Sequence, residues 1–402
     1  MELALNQSLK IRARRFSLRT LLISVLIAVI ASTVLTSVLF VWLVPVGQPV
    51  YLFAQPSTAT YTIETDGAGG YRAVDCDGNR LWEGADAGGT INSAISAGKH
   101  VLLKEGTFEL GSYLSLKHGA ILEGAGENTI IRQKDGANLD YLIYIYLKTG
   151  SAFGRVQLRN FVVDGNKKAQ TGGRGYGVYS DTYSSVYSDL VLLQDLYIRD
   201  TLGVGVETSG NYYSFENVYV YNAGSHGFVV KDYHARLVNT VARMNAGDGY
   251  LIRGTGLHSL TSARSLQNGG NGIHLYGIDT TDLRVEINGG SVMMNDQHGI
   301  LFEGASKNRV IGVHIQSNSY TVANQSDNIH FKSYGSKHSK NNIVEANVLT
   351  SLGTVRYQIC EADSNQDYNL VHGNQILDAG QTGKIQMQGS DSKVENNIGF
   401  AN

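Results

Sequence analysis

The chain has 402 residues, with 47 glycines, 23 tyrosines, 3 prolines and 17% charged residues. This glycine content, well above the usual ~7%, and the small number of charges argue against both a disordered chain and an ordinary helical enzyme. The formal net charge is −2, and residues 1–20 carry five basic residues against one acidic residue. The remainder is therefore mildly acidic, which excludes the basic surface that a nucleic-acid partner requires.

The N-terminal region contains an uncharged, mostly apolar stretch at 21–46. A helix of about 20 residues crosses a bilayer, so this stretch predicts a transmembrane anchor. A cleaved signal peptide is the alternative, but its apolar core is about 7–15 residues long. The basic residues before the stretch place residues 1–20, a basic tail, in the cytoplasm. The rest of the chain is then extracytoplasmic, beginning with a juxtamembrane stalk and lead-in at 47–84.

After the stalk, residues 90–97 predict a short amphipathic helix with Ile91, Ala94 and Ile95 on one face. The following segments alternate apolar and polar residues over short lengths, as strands do. We interpret the helix as the N-terminal cap of a β domain at 85–402.

A short pattern recurs in this domain, in which an asparagine is followed by glycine and then by an apolar residue. The segment 217–228 reads NVYVYNAGSHGF, and the segment 239–250 reads NTVARMNAGDGY. The marker residues recur every 22 to 29 residues and are Asp200, Asn222, Asn245, Asn268, Asn295, Asn318, Asn347, Asn374 and Asn397. The segments between them are short and rich in β-branched residues, which predicts strands.

A unit of this length cannot bury its apolar side alone, but it can do so when stacked on similar units ~4.8 Å apart. The repeat therefore predicts an all-β fold: a single-stranded, right-handed parallel β-helix with about 22–29 residues per coil, preceded by one transmembrane helix. We expect the marker asparagines to take the left-handed backbone of a sharp bend and to share amide hydrogen bonds between coils.

The segments ADAGGTINSAISAGKHVLLKEGTF and LEGAGENTIIR, with the repeated NAGxG coils, resemble the pectate lyase superfamily of right-handed parallel β-helix proteins. The resemblance runs from about Ala85 to Asn402 and implies an extracellular polysaccharide, often of uronic acids, as the partner. This scaffold carries lyases, epimerases, hydrolases and binding proteins, so the fold does not choose the reaction.

The phrase Asp164-Gly165-Asn166, followed by a glycine-rich insertion and a GxG coil, is similar to mannuronan C5-epimerases and alginate lyases. Those enzymes carry YGFDPH at the catalytic coil, whereas positions 204–209 read VGVETS here. Glu207 stands where they have aspartate and Ser209 where they have histidine. The catalytic roles of that motif are therefore not transferred to this chain.

Aligning the coils on the glycine of the repeat predicts which side chains point outward. The residue after the glycine points inward, giving the core stack Val178, Val206, Phe228, Tyr250, Ile273, Ile300 and Ile329. The first column, just before the glycine, is Tyr176, Val204, His226, Asp248, Asn271, His298 and Asp327. The second column, two after it, is Tyr179, Glu207, Val229, Leu251, His274, Leu301 and His330. The third column, four after it, is Asp181, Ser209, Lys231, Arg253, Tyr276, Glu303 and Lys332.

These columns suit proton transfer on a uronate, which needs a group that neutralises the carboxylate, a base and an acid. We predict that Arg253 and Lys231 neutralise the carboxylate and that His226 acts as base or acid. Tyr276 or Tyr179 would serve as proton donor. The candidate catalytic residues are His226, Lys231, Asp248, Arg253 and Glu207, and the candidate substrate-binding residues are Tyr179, Tyr183, His274, Tyr276 and Glu303.

The predicted function is that of a membrane-anchored, extracytoplasmic lyase or epimerase acting on uronic-acid-containing glycans. One alternative is a non-catalytic glycan-binding or cell-surface structural protein. Another is a glycoside hydrolase with Glu207 and Asp248 as its carboxylate pair. No metal or other cofactor is predicted. The DCDGN segment at 75–79 resembles part of a calcium loop but lacks the final glutamate, and we interpret it as a turn.

Overall fold

The computed structural model describes residues 59–147, 155–181, 190–277 and 283–399. Within these ranges, no helix has both the length and the apolar character needed to cross a bilayer. The predicted anchor at 21–46, the basic tail at 1–20 and residues 47–58 of the stalk lie outside the described residues. The membrane segment therefore stays a prediction.

The regular secondary structure of the described residues is almost entirely β-strand. A single α-helix among them, α1, spans Ala87–Ala97, and a 3-10 turn spans Lys167–Ala169. The strands in chain order are β1 (Tyr61–Thr65), β2 (Tyr71–Asp75), β3 (Arg80–Gly84), β4 (His100–Leu103), β5 (Gly106–Leu110), β6 (Leu114–Leu116), β7 (Ile121–Gly124), β8 (Thr129–Gln133), β9 (Tyr141–Ile145), β10 (Arg155–Asp164), β11 (Tyr176–Ser180), β12 (Leu190–Arg199), β13 (Val206–Thr208), β14 (Tyr212–Tyr221), β15 (Phe228–Val230), β16 (His234–Val238), β17 (Val241–Arg243), β18 (Tyr250–Ile252), β19 (Gly256–Thr261), β20 (Arg264–Leu266), β21 (Ile273–Tyr276), β22 (Leu283–Asn288), β23 (Ser291–Met293), β24 (Ile300–Glu303), β25 (Arg309–Ile311), β26 (His314–Gln316), β27 (Ile329–Lys332), β28 (Ile343–Glu345), β29 (Val348–Thr350), β30 (Tyr357–Glu361), β31 (Leu370–His372), β32 (Gln375–Ile376), β33 (Gly383–Gln386) and β34 (Lys393–Glu395).

Each full coil places strand residues in three parallel sheets, as the predicted β-helix requires. The first sheet joins β4, β7, β10, β12, β14, β16, β19, β22, β25, β28, β31 and β34. The second joins β5, β8, β10, β12, β14, β17, β20, β23, β26, β29 and β32. The third joins β6, β9, β11, β13, β15, β18, β21, β24, β27, β30 and β33. Strands β10, β12 and β14 are long enough to belong to both the first and the second sheet.

The core lies inside the coils, and the third sheet carries the predicted inward stack. Val178, Val206, Phe228, Tyr250, Ile273, Ile300 and Ile329 pair in register on successive strands and are all buried. The stack is close-packed, since the rings of Phe228 and Tyr250 lie 4.9 Å apart and 3° from parallel. Glycine precedes it for a steric reason. A Cβ at Gly227 would lie 2.7 Å from the carbonyl oxygen of Gly249 and 2.8 Å from Asn245 Nδ2.

The marker asparagines form the expected amide ladder, but with a break. Each side-chain amide donates to the next through Asn245, Asn268, Asn295 and Asn318, at 2.8–2.9 Å. Asn347, Asn374 and Asn397 form a second ladder at a different corner, between the first and second sheets. The single marker column predicted from the sequence is therefore wrong beyond Asn318, where the ladder instead continues to Asn328.

The predicted left-handed backbone also falls one residue earlier than expected in most coils. Asp200 and Asn222 have positive φ, but the later marker asparagines do not. The preceding residues bend instead, among them Met244, Gln267, Met294 and Ser317, with φ between 52° and 56°. The side chain of each later marker asparagine points into the coil, where its backbone N–H and side chain both take part in the ladder. The residue before it therefore adopts the left-handed conformation.

The N-terminal end is covered more extensively than the sequence predicts. Strands β1, β2 and β3 form an antiparallel unit, and β1 continues the first sheet by pairing parallel with β4. Residues 61–84, predicted as stalk and lead-in, are therefore folded onto the solenoid. Helix α1 begins at Ala87, three residues before the predicted 90–97. Its start is set by Asp86, whose carboxylate accepts hydrogen bonds from the N–H groups of Gly88 and Gly89.

Candidate functional site

The register of the third sheet agrees with the three outward columns. Glu207, Val229, Leu251, His274, Leu301 and His330 follow Tyr179 on successive strands. Tyr276, Glu303 and Lys332 likewise follow one another in the third column. The fold therefore brings the candidate residues onto one face.

The first column is a hydrogen-bonded ladder. In five successive steps, a side chain accepts a hydrogen bond from the backbone N–H of the residue that follows it in register on the next coil. The acceptors and donors are His226 Nδ1 and Asp248 (2.9 Å), Asp248 Oδ1 and Asn271 (2.6 Å), Asn271 Oδ1 and His298 (3.2 Å), His298 Nδ1 and Asp327 (3.0 Å), and Asp327 Oδ1 and Tyr357 (3.0 Å). The ladder gives a structural reason why histidine, aspartate and asparagine occupy this column.

The ladder also fixes the protonation of His226. A neutral imidazole whose Nδ1 accepts a hydrogen bond carries its own hydrogen on Nε2. Burial lowers the pKa of His226, against the opposing charge of Asp248, whose Oδ2 lies 3.6 Å from Nδ1. The His226 side chain remains 30% exposed. In this neutral state it donates a hydrogen bond from Nε2, and its occupied Nδ1 is not free to act as the predicted base.

Asp248, His274, Glu303 and Lys332 form a chain of alternating charge. His274 Nδ1 lies 3.1 Å from Asp248 Oδ2 and its Nε2 lies 2.9 Å from Glu303 Oε2. Glu303 Oε1 lies 3.1 Å from Lys332 Nζ. Burial alone would lower the pKa of His274, but the hydrogen bonds to the two carboxylates raise it. Burial favours the neutral acids, yet their bonds to His274 lower the pKa of both Asp248 and Glu303.

The two predicted cations lie beside other members of the face. Lys231 donates to the carboxylate of Glu207. The guanidinium of Arg253 lies 5.9 Å from the ring centre of Tyr276, a cation–π distance. Burial raises the pKa of Tyr276 to about 12, so its hydroxyl keeps its proton at neutral pH.

Of the predicted tyrosines, Tyr179 belongs to an aromatic cluster at the N-terminal end of the same sheet. The ring of Tyr179 stacks on that of Tyr141, with centres 5.5 Å apart and planes 12° from parallel. Tyr183 lies outside the described residues. The candidate substrate-binding set is therefore divided between this cluster and the charged chain around His274.

A second charged cluster lies further along the face and is not among the residues predicted as a site. Asp327 is fully buried, and its two oxygens accept from Arg356 Nε (3.0 Å) and Nη2 (2.7 Å). The rings of His298 and His330 stack 4.3 Å apart. Burial, with the nearby charge of His330, lowers the pKa of His298 to about 3. Burial would raise the pKa of Asp327, but the adjacent His330 and the hydrogen bonds from Arg356 lower it.

The sequence held a signal for most of this cluster. His298, Asp327 and His330 all stand in the aligned columns. Arg356 could not be predicted from the sequence, because the coils were aligned on a glycine that its coil lacks. Gln358 occupies the position of that glycine, in register with Asn328.

Among the described residues, His298, Asp327 and His330 each offer one potential metal-ligand atom, all within 4.8 Å of one another. Their hydrogen bonds do not fit a metal centre. A metal-binding histidine donates from its second ring nitrogen, whereas His298 Nδ1 accepts from Asp327. His330 Nδ1 lies 2.7 Å from Asp327 Oδ2, off the direction of a hydrogen bond. The Arg356 guanidinium already pairs with both oxygens of Asp327, and its positive charge would repel a metal ion. We therefore interpret the cluster as an ion-pair network.

No protein-family model and no curated protein matches the chain. Solved structures do match. The A-modules of two mannuronan C-5 epimerases of Azotobacter vinelandii superpose with a TM-score of 0.65 each. One is 20% identical, with 79% of this chain and 94% of that chain covered. The other is 22% identical, with 77% and 96% covered. A periplasmic alginate epimerase has a TM-score of 0.51 and 13% identity over 74% of this chain and 76% of its own.

These identities establish the fold and leave the reaction open. The expected fold is confirmed: the chain is a right-handed parallel β-helix, similar in architecture to the mannuronan epimerase modules.

Proposed function

We propose that this protein acts on uronic-acid-containing polysaccharides as a lyase or an epimerase, at the outward face of the third sheet. The names of the structural neighbours support the substrate class, since they include mannuronan and alginate epimerases. The proposal includes a membrane anchor at 21–46 and an extracytoplasmic location, both argued from the sequence alone.

One observation carries the proposal: a partly exposed neutral histidine lies among carboxylates and cations on one face. The charges of both Glu207 and Asp248 act on His226, and Lys231 is paired with Glu207. β-Elimination and C5 epimerisation both need an acid, a base and a group that neutralises the substrate carboxylate.

We assign these three roles to separate residues. Lys231 and Arg253 neutralise the substrate carboxylate, as predicted from the sequence. His226 donates a hydrogen bond from Nε2 to the negative charge that develops on the substrate, because its Nδ1 is held by the ladder. Tyr276, whose hydroxyl keeps its proton at neutral pH, is the acid. Glu207 is the carboxylate that accepts the α-proton, and it is released for this when Lys231 turns to the substrate.

The charge pairing also favours a second candidate function, that of a non-catalytic binder of acidic glycans. Glu207, Asp248, Glu303 and Asp327 each lie against a cationic or histidine side chain. A face whose charges are already paired can bind a polymer without transferring a proton. A hydrolase is less well supported, because its carboxylate pair requires one protonated acid. The pKa of Asp248 is lowered and Glu207 is ion-paired with Lys231, so neither carboxylate suits that role.

The test is to incubate the purified chain with polymannuronate, polyguluronate and polygalacturonate. Ultraviolet absorbance of a new C=C bond identifies a lyase, and a changed uronate configuration by NMR identifies an epimerase. New reducing ends without absorbance identify a hydrolase, and retention on the polymer without any reaction identifies a binder. A chain that neither retains nor alters any polyuronate would contradict the proposal.

In the same assay, we expect Arg253→Ala to reduce turnover by about 10²-fold or more, because the substrate carboxylate then lacks a neutralising group. The matched control is Arg236→Ala, which removes an arginine on the first sheet that pairs with Glu216. Equal activity in the two variants would show that Arg253 is wrongly placed in the site.

A further inference from the structure

The N-terminal end of the third sheet carries a continuous patch of tyrosine rings. The patch consists of Tyr113, Tyr141, Tyr144, Tyr146, Tyr176 and Tyr179, and each ring contacts at least one other member, with centres 4.7–6.2 Å apart. Tyr113 is 42% exposed and the other five are partly exposed. The inward residues of these strands, such as Ile143 and Val178, fill the core instead. The tyrosines are therefore a surface feature.

The patch occupies the same columns as the candidate site. Tyr141 pairs with Tyr176, which stands in the first column, and Tyr144 pairs with Tyr179 in the second. The next residue in that second column is Glu207, which pairs directly with Tyr179. The patch and the charged site thus adjoin on one face.

The chemistry of the patch differs from that of the site. Burial raises the pKa of Tyr141 and raises that of Tyr144 to about 12, so the phenols are neutral at physiological pH. Neutral rings with polar tips offer flat apolar area together with hydroxyl groups. A pyranose ring presents the complementary surface, with apolar C–H faces and hydroxyls around its edge.

We propose that the tyrosine patch binds the pyranose rings of a glycan chain whose uronate is held further along the same face. This inference rests on the proposed function and adds to it the length and direction of the bound glycan chain. Tyr144 and His274 are five coils apart in the second column, roughly 24 Å at ~4.8 Å per coil. Only an extended chain of several sugars, running along the solenoid axis, contacts both ends.

This arrangement makes binding depend on chain length. A long chain stacks on Tyr141 and Tyr144 and reaches Arg253, whose coil is four coils from that of Tyr144. A disaccharide held at Arg253 reaches neither of these two rings. Binding energy from the remote tyrosines then holds the polymer in place for the reacting residues.

The experiment measures the dissociation constants of full-length polyuronate and of a uronate disaccharide by calorimetry. In the double variant Tyr141→Ala/Tyr144→Ala, we expect polymer affinity to fall about tenfold or more and disaccharide affinity to be unchanged. Tyr113→Ala, at the most exposed ring, should weaken polymer binding less while leaving the fold intact.

The matched control is Tyr219→Ala. Tyr219 stacks on Tyr197 at 5.1 Å, but on the second sheet. It should not alter polymer affinity, and circular dichroism should show native β-structure in every variant.

The outcomes separate the two proposals. If the wild-type protein binds polyuronate and the tyrosine variants bind it equally well, the role of the tyrosine patch is wrong and the proposed function stands. If the wild-type protein binds only neutral glycans and the tyrosine variants lose that binding, the role of the tyrosine patch stands and the proposed uronate function is wrong. If wild type binds no glycan of either kind, both proposals are overturned.

Discussion

The outward face contains the same local arrangement twice, and the two copies differ in their access to solvent. At His226 and at His298, ring Nδ1 accepts the backbone N–H of an aspartate on the next coil. Each aspartate, Asp248 or Asp327, then lies beside a second histidine. The His226 side chain is 30% exposed, whereas that of His298 is 16% exposed and its aspartate is fully buried.

The comparison separates what the ladder does from what a site does. Both histidines satisfy a backbone donor, and that structural role explains why they are histidines at all. Only the copy at His226 adds partial exposure and the nearby Glu207 and Lys231 to that role. In the copy at His298, Arg356 donates two hydrogen bonds to the carboxylate of Asp327 and so links two successive coils of the third sheet.

The sharpest way to break the comparison is to replace each histidine with asparagine. Asn271 already fills this column with Oδ1 as the acceptor, so His226→Asn and His298→Asn should both keep the ladder. We expect His226→Asn to lose about 10²- to 10³-fold in turnover, since the Nε2 hydrogen-bond donor to the developing charge is gone. His298→Asn should retain wild-type turnover. Equal losses in the polyuronate assay would mean that the ladder, not the exposed donor, governs activity.

The next largest effect concerns the two aspartates. We expect Asp327→Asn to reduce the free energy of unfolding by about 2 kcal/mol, because Arg356 cannot give up its proton and loses its anionic partner. Asp248→Asn should cost less than ~1 kcal/mol, because His274 can lose its proton and accept from the new amide. Chemical denaturation of the two variants measures the difference. A larger loss for Asp248→Asn would reverse our view of which cluster is structural.

The smallest effects are opposite pH dependences. The pKa of His274 is raised above its usual 6.5, so its stabilisation is complete below pH 6.5 and is lost as pH rises through the raised value. The pKa of His298 is lowered to about 3, so the unfolded chain binds the extra proton and stability falls as pH drops below 6.5. His274→Gln should flatten the first dependence and His298→Asn the second. Melting temperatures are measured from pH 4 to 9. The prediction is wrong if both variants change the pH dependence on the same side, acidic or alkaline.

The coil repeat was enough to predict the β-helix, its inward stack and its three outward columns. Those features depend on strand alternation and on one glycine per coil, which are visible in the residues. The ladder break after Asn318 was not predicted, because an asparagine at either corner looks the same in the sequence. The strands within 61–84 were missed because they pair antiparallel and lack the repeat.

The candidate site was predictable only as a set of positions. Alignment placed His226, Asp248 and His274 on one face, but it could not show that Lys231 pairs with Glu207 or that Nδ1 of His226 is occupied. Those facts depend on side-chain direction and on backbone donors in the next coil. Arg356 shows the same limit, since its role comes from a neighbour 29 residues earlier in the chain.

The asparagine ladder changes corner after Asn318, so the solenoid contains two groups of coils. Within a group, one coil can take the place of another because their asparagines lie at the same corner; between the groups they do not. Removing 246–268 would bring Asn245 next to Asn295 and close the first ladder again, so coils there behave as modules. A cut that joined Asn318 to Asn374 would leave the Asn318 side chain without its acceptor Asn328, because Asn374 lies at the other corner and donates to Asn397. Gain and loss of whole coils during evolution is therefore expected where the asparagines at the two ends of the cut lie at the same corner.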